Sequence, residues 1–321
     1  MNRRQALLTA PALLAAPAAF AQAPYPARAV TIIVGYPAGG ANDIIARSIG
    51  ARLAAEYGQP VIIENRAGAG GTLAGGVAAR AAPDGYTLFM CGGAHALAPA
   101  LYKTLPYNLV EDFRALSQAA ASGYVLVLHP SVPQRSVAAL IAYARANPGK
   151  LNFCSSGVGT PLHLSAVLFQ QMTNTRMEHV PYQGDSDAIA ALLGGTVELG
   201  FMSIAAAKVH IEAGRLIALA VTDDIPSPAL PSLPTLAASG LAGYRVTTWW
   251  GLLAPRNTPD AIAQKLAASA QAAAQVPEVR QRFLDLGLRP VGSDAATFQQ
   301  FIRSEVAGYA RLAQAAGVQP Q

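Results

Sequence analysis

Charge is scarce in this chain. Asp, Glu, Lys and Arg make up 13% of the 321 residues, about half the usual share. Disordered and polybasic chains are excluded, because those are charge-rich and apolar-poor, whereas 52% of this chain is hydrophobic. The formal charge is +5; Arg3 and Arg4 carry two of those charges, so +3 remains if they leave with a leader. No basic stripe with interleaved aromatics is present, which argues against nucleic acid as a partner. The small surplus favours an anionic small ligand instead.

Cysteine is nearly absent, with only Cys91 and Cys154. Each ends a different expected strand beside a glycine-rich turn. They read as small buried residues on opposite sides of a cleft and unbonded, since a bond there would lock the protein. Metal-ligand spacing is missing too. His95, His129, His163, His179 and His210 stand apart from one another and from cysteines or carboxylates at zinc-ligand spacing. Glu64–Gly71 lacks the lysine of a P-loop, and no G-x-G-x-x-G fingerprint occurs, so no metal or cofactor is expected.

Long apolar runs are confined to the start. Met1–Arg4 is basic, Ala6–Phe20 is apolar apart from Thr9, and Ala21-Gln22-Ala23 is a small-residue cleavage signal. Residues 1–23 therefore read as a signal peptide, exported by the Sec or the twin-arginine route. The mature chain has no run approaching the ~20 apolar residues of a membrane span. It is expected in a bacterial periplasm, without membrane insertion and as a monomer.

What the chain does have is alternation. Apolar runs at Val30–Tyr36, Val61–Asn65, Thr87–Cys91, Val125–His129, Leu151–Ser155, Met177–Tyr182, Val197–Ser203, Ile217–Val221 and Val246–Leu253 read as strands. Most are continuous, as for strands buried on both faces. Helical patterns lie between them. Ser136, Thr160 and Thr258 are expected N-caps, the last two followed by proline, and Ser293 is the expected cap of the final helix. The fold class is α/β, with mostly parallel sheets flanked by helices. Two strands, Tyr124–His129 and Val246–Ala254, are bracketed by loop chemistry and read as domain crossings. That places 24–123 plus 247–321 in one domain and 124–246 in a second.

Two glycine-rich turns, each closing a strand and opening a helix, stand out. The first is Tyr36–Asp43, with Gly39, Gly40 and Asn42 inside it. The second is Ser155–Thr160, with Ser156, Gly157 and Gly159. A helix N-terminus leaves backbone N–H groups unpaired and partly positive, and glycine lets a ligand approach them. Together they suggest two half-sites for one small anion. Asp43 is placed as a helix cap, since like charges repel. Asn65 lies in the Glu64–Gly71 turn, where Arg66 is read either as pairing with Glu64 or another local carboxylate or as contacting the ligand. Ala94, His95 and His163 follow the candidate cleft turns and read as pocket residues. His179, inside an apolar strand, reads as a core histidine. Tyr182, Gly184 and Asp185, with Ser203, follow further strand ends, where ligands of open α/β sheets bind. Trp249 and Trp250 read as hinge packing.

Tyr36–Asp43, Glu64–Gly71, Pro83-Asp84-Gly85-Tyr86, Leu105-Pro106-Tyr107, Gly159–Leu164, Val180-Pro181-Tyr182, Leu192–Gly195 and Gly251–Pro255 occur in an order that resembles the Bug family. These are periplasmic solute-binding proteins of tripartite tricarboxylate transporters. The resemblance covers essentially the whole mature chain. It implies a two-domain Venus-flytrap fold of the type II periplasmic-binding class. It also implies capture of a dicarboxylate, tricarboxylate, acidic amino acid or aromatic acid between the domains, for membrane transporter subunits and without chemistry. A sensor role, presenting the solute to a histidine-kinase ectodomain, is the alternative. Gly184-Asp185-Ser186 also resembles an esterase serine block. Only His210 follows it as a base, so a hydrolase is the weaker alternative. Two positions depart from the family pattern. Gln183-Gly184-Asp185-Ser186 stands where relatives read Lys-Gly-Gly-Ala, and Met202-Ser203 where they read Asp-Asn. The first adds a carboxylate, expected to face an ammonium, amide or hydroxyl of the ligand; the second supplies a thioether.

Overall fold

Residues 25–182 and 184–320 are described in the computed structural model. The expected leader, residues 1–23, lies outside the described residues. The strands are β1 Val30–Val34, β2 Val61–Asn65, β3 Thr87–Gly92, β4 Phe113–Leu128 and β5 Asn152–Ser155, followed by β6 Glu178–Pro181, β7 Leu199–Ser203, β8 Ile217–Val221, β9 Thr247–Pro255 and β10 Arg289–Pro290. The helices are α1 Ala41–Tyr57, α2 Thr72–Ala79, α3 Gly93–Leu101, α4 Val137–Ala146 and α5 Pro161–Thr173, then α6 Asp185–Leu193, α7 Ile204–Glu212, α8 Asp260–Gln275, α9 Pro277–Asp285 and α10 Ala295–Ala315.

The strand order is β2-β1-β3-β9-β4-β7-β5-β6, with β8 and β10 also on β4. The 16-residue β4 joins the two halves. Phe113–Gly123 pairs with β9, and Tyr124–Leu128 pairs with β7. The expected crossing at Tyr124 is thus the second part of one long strand. The sheet is mixed and not mostly parallel. β1–β2, β1–β3, β5–β6 and β5–β7 are parallel. Every antiparallel pairing involves β4 or β9. The two strands that carry the chain between the halves run against their neighbours, and single-strand apolar patterns do not show that direction.

The continuous apolar runs do bury both faces. Ile32, Leu88 and Met90 pack in one cluster, while Ile33, Phe89 and Cys91 pack in another across the same strands. In the other half Leu126, Phe153 and Phe201 lie on one side, with Val125, Cys154 and Met202 on the other. Both cysteines are free and buried in different clusters. Burying one such side chain contributes about 1.5–3 kcal/mol, so each strand is held from both sides.

Helix caps follow the sequence in part. Ser136 accepts from the Ala139 amide, and Thr160 caps α5 with Pro161 behind it. Ser293 does not cap α10. Its hydroxyl accepts from the Gln118 amide, and Asp294 caps instead, accepting from Thr297. Thr258 turns its hydroxyl back onto the Pro255 carbonyl, so Pro259 takes the cap position of α8.

Candidate functional site

The first turn leaves β1 and enters α1 through Gly40, which has no side-chain cap. The cap is supplied from inside the helix. Asp43, only 3% exposed, accepts the Gly39 amide at 3.0 Å and the Arg47 guanidinium at 2.9 Å on one oxygen. Its other oxygen accepts from Asn65 Nδ2 at 3.0 Å, and that same amide group reaches the Tyr36 carbonyl at 3.0 Å. Burial pushes the Asp43 pKa up, but the bonds from Arg47, Gly39 and Asn65 outweigh it and hold the carboxyl below its usual value. Asp43 and Asn65 therefore brace the turn. The amides of Ala41 to Asp43 are those a helix leaves unpaired by construction.

Behind this turn sits His95. It is fully buried, so the expectation that it lines the pocket gives way to a structural role. Its Nδ1 accepts the Gly92 amide at 3.0 Å, and its ring meets Tyr36 edge-on at 5.9 Å. Burial lowers its pKa to about 4 and keeps it neutral. Tyr36 donates its hydroxyl to the Gly70 carbonyl at 2.9 Å. Close backbone approach sets this packing: a Cβ on Gly35 would lie 2.8 Å from the Gly71 Cα. Ala94, one residue before His95, is exposed on the first turn of α3. Arg66 pairs with Glu64 at 2.6 Å.

The second turn is braced in the same manner. Thr160 donates its hydroxyl to the Gly157 carbonyl at 2.8 Å, and the Gly159 amide donates to His163 Nδ1 at 3.1 Å. Ser155 is buried; its Oγ accepts the Gly157 amide at 3.2 Å and lies 2.7 Å from His179 Nε2. His163 is nearly buried, at 7% exposure, and its ring lies 4.1 Å from that of His179. His179 is thus not a core histidine but a partner of this turn. The amides of Gly39, Gly157 and Gly159 are already used. Those of Ser156 and Val158 have no partner among the described residues. Val158, 62% exposed between two positive-φ glycines, forms the tip. A Cβ on Gly159 would lie 2.7 Å from Leu101 Cδ2, so this turn faces the end of α3 from the other half.

A third strand end closes the arrangement. The Tyr182 amide donates to the Ser155 carbonyl at 3.0 Å, and Gly184, with φ of 116°, opens α6 ahead of Asp185. Tyr124, at the crossing point of β4, stands in register with Ser203 of β7. Its phenol pKa is raised by burial first, and then by Asp185, Glu305 and Tyr36. Tyr124 is nearly buried at this crossing point, and sequence reasoning did not single it out. Its only signal was its place at the expected crossing. Met202 does not supply a thioether to the cleft. It is fully buried, with its sulfur 4.0 Å from Cys154 Sγ. Among the described residues no cluster of His, Cys, Asp and Glu could hold a metal ion.

A mixed sheet joined through two crossing strands, with a glycine-rich turn at a strand end in each half, is the architecture of a two-domain solute-binding fold. Residues 45–318 match the tripartite tricarboxylate transporter family receptor, and the chain belongs to that family. It is 34% identical to the protein BugT of Bordetella pertussis over 295 residues, covering 91% of this chain and 90% of BugT. A structure described as Rpa4515 of R. palustris with adipate is 34% identical, with a TM-score of 0.76, covering 92% of this chain and 100% of that one. MatC from Rhodopseudomonas palustris, with bound malate, is 32% identical with a TM-score of 0.70, covering 90% and 100%. The family is one of receptors, not enzymes. No described helix is long and apolar enough to cross a membrane.

Proposed function

We propose that this chain is a periplasmic receptor that captures a small carboxylate-bearing solute and delivers it to the membrane subunits of a tripartite transporter. Residues 24–123 with 247–321 form one lobe, and 124–246 form the other. The carboxylate sits between the Tyr36–Asp43 and Ser155–Thr160 turns, with Tyr182, Gly184, Asp185 and Ser203 at the far end. One observation supports this reading: the polar side chains of both turns bond within their own turns, and this leaves the first amides of α1 and the Ser156 and Val158 amides of the second turn for an anion. The relatives solved with adipate and malate hold dicarboxylates, which is the same ligand chemistry. Capture shifts an open–closed equilibrium, and the closed form is what the membrane partner reads.

A thermal-shift screen tests this, using protein unfolded and refolded to strip bound solute. The panel holds mono-, di- and tricarboxylates, aromatic acids, amino acids and neutral amides. A solute at a hundred times its Kd adds about 2.7 kcal/mol and moves the midpoint by several degrees. Shifts from acids support the reading. Shifts only from uncharged compounds overturn it.

A further inference from the structure

We propose that His163 and His179 are positioning residues of the second turn, and that the turn keeps its ligand-ready shape only while His163 Nδ1 is unprotonated. The inference rests on the reading that the Ser155–Thr160 turn holds the carboxylate.

Hydrogen-bond bookkeeping carries it. The Gly159 amide donates to His163 Nδ1 at 3.1 Å. That nitrogen must offer a lone pair, so the ring proton sits on Nε2. An imidazolium has no lone pair; a proton on Nδ1 would set two donors against each other at Gly159. His179 reaches the same turn by another route. Its Nε2 lies 2.7 Å from Ser155 Oγ, and that oxygen accepts the Gly157 amide at 3.2 Å and lies 3.0 Å from the Gly157 carbonyl. The two imidazoles therefore hold the two glycines on either side of Val158.

They are also coupled to each other. The rings are 13° from parallel with centroids 4.1 Å apart, and Phe153 lies parallel to His179 at 4.8 Å. Two charges at that separation repel, so the pair cannot readily carry both protons. Burial lowers the pKa of both rings, that of His179 to about 4, and His163 adds to the lowering of His179. The other titratable groups nearby are Glu178 and Asp185. On β6, Glu178 pairs with Arg176 at 3.1 Å. Asp185 stands in the first turn of α6. Cys154 lies in the cluster across β5 from Phe153.

Acidification that places a proton on His163 Nδ1 would break the Gly159 bond and loosen the turn around its solute. Histidine-ring and backbone-amide NMR of the mature chain without solute tests the brace. The expected result is an unprotonated His163 Nδ1 at pH 7.5 and ring midpoints below the usual 6.5. The Gly157 and Gly159 amide signals should move with those midpoints. His163→Asn keeps an acceptor near Nδ1 and should hold the Gly159 signal in place through the titration. Rings that titrate near 6.5, or glycine amides that ignore them, overturn the proposal.

Affinity for adipate and malate from pH 7.5 to 5.0 adds the functional readout. The wild type should lose at least about twofold more affinity than the His163→Asn/His179→Gln double variant, which cancels titration of the acids themselves. Equal losses, or affinity that rises with acid in the wild type alone, contradict it. Absence of binding by every acid at pH 7.5 sinks the receptor reading, while the NMR result still decides the brace.

Discussion

Asn65 Nδ2 meets Asp43 Oδ1 at 3.0 Å, although the two residues are 22 positions apart. The bond ties the end of β2 to the first turn of α1, and Asp43 also holds Gly39 and Arg47. Asp43→Ala should cost about 2–4 kcal/mol, because it strands several donors of a nearly buried carboxylate. Urea unfolding measures this. The folded pKa of Asp43 is depressed. Its contribution is therefore complete above the unfolded pKa of about 3.9 and is lost as pH falls through the folded value. Asp43→Asn should flatten that part of the acid-unfolding curve.

The hinge carries a charged network with the opposite sign. Trp249 Nε1 donates to Glu305 Oε2 at 3.0 Å, and Arg245 reaches Glu305 Oε1 at 3.3 Å. Burial, the largest cause, raises the Glu305 pKa despite these partners. A raised carboxyl binds its proton more tightly in the folded state, so stability falls as pH rises from the unfolded value of about 4.3 to the folded one. Glu305→Gln keeps an acceptor for Trp249 and should change stability by less than about 1 kcal/mol at pH 7. Arg245→Ala leaves the carboxylate unpaired and should cost about 1–3 kcal/mol, less than for a fully buried pair because Arg245 is partly exposed. Thermal unfolding at pH 5 and pH 7 distinguishes the two variants.

Gly159 has φ of 76° and no room for a side chain against Leu101. Gly159→Val should weaken acid binding about 30- to 100-fold, as strain and bulk of 2–3 kcal/mol fall on the turn itself. Thr160→Val loses the α5 cap and the bond to Gly157, which is worth about 1–2 kcal/mol of turn stability. Calorimetric titration with the strongest acid from the screen measures both. Near-normal affinity in both variants would show that the anion sits elsewhere.

Asp185 is partly buried in the first turn of α6, after the Tyr182 strand end. Acids that also carry an ammonium, amide or hydroxyl group should bind better than plain dicarboxylates of equal length. Asp185→Gly should remove that preference. A competition series of matched acids reads it directly, and an unchanged ranking would leave Asp185 with the role of opening α6.

Much of this arrangement was legible in the sequence because it is local. Ser136, Thr160 with Pro161, and the Glu64–Arg66 pair act within a few positions, and doubly buried strands announce themselves by continuous apolar runs. Ser293, Thr258 and Met202 were misread for a related reason. Each had a plausible local role, but a distant backbone amide claimed Ser293, the carbonyl three residues back claimed Thr258, and a packing neighbour claimed Met202. The Ser155–His179 bond spans 24 positions and the Arg245–Glu305 pair spans 60, so neither leaves a spacing signal. His95 shows the same limit. Its place after a cleft turn was readable, but its burial behind Tyr36 depends on how three separate turns pack.

The central claim is that a carboxylate bridges two helix-start turns. A crystal structure of the mature chain with the acid that gives the largest thermal shift tests it most directly. The account predicts carboxylate oxygens within hydrogen-bond distance of Ala41–Asp43 amides on one side and of Ser156 or Val158 amides on the other. A ligand seated instead in the small hinge cavity beside Ser122, Asp223 and Arg289, or held by side chains alone, would contradict it.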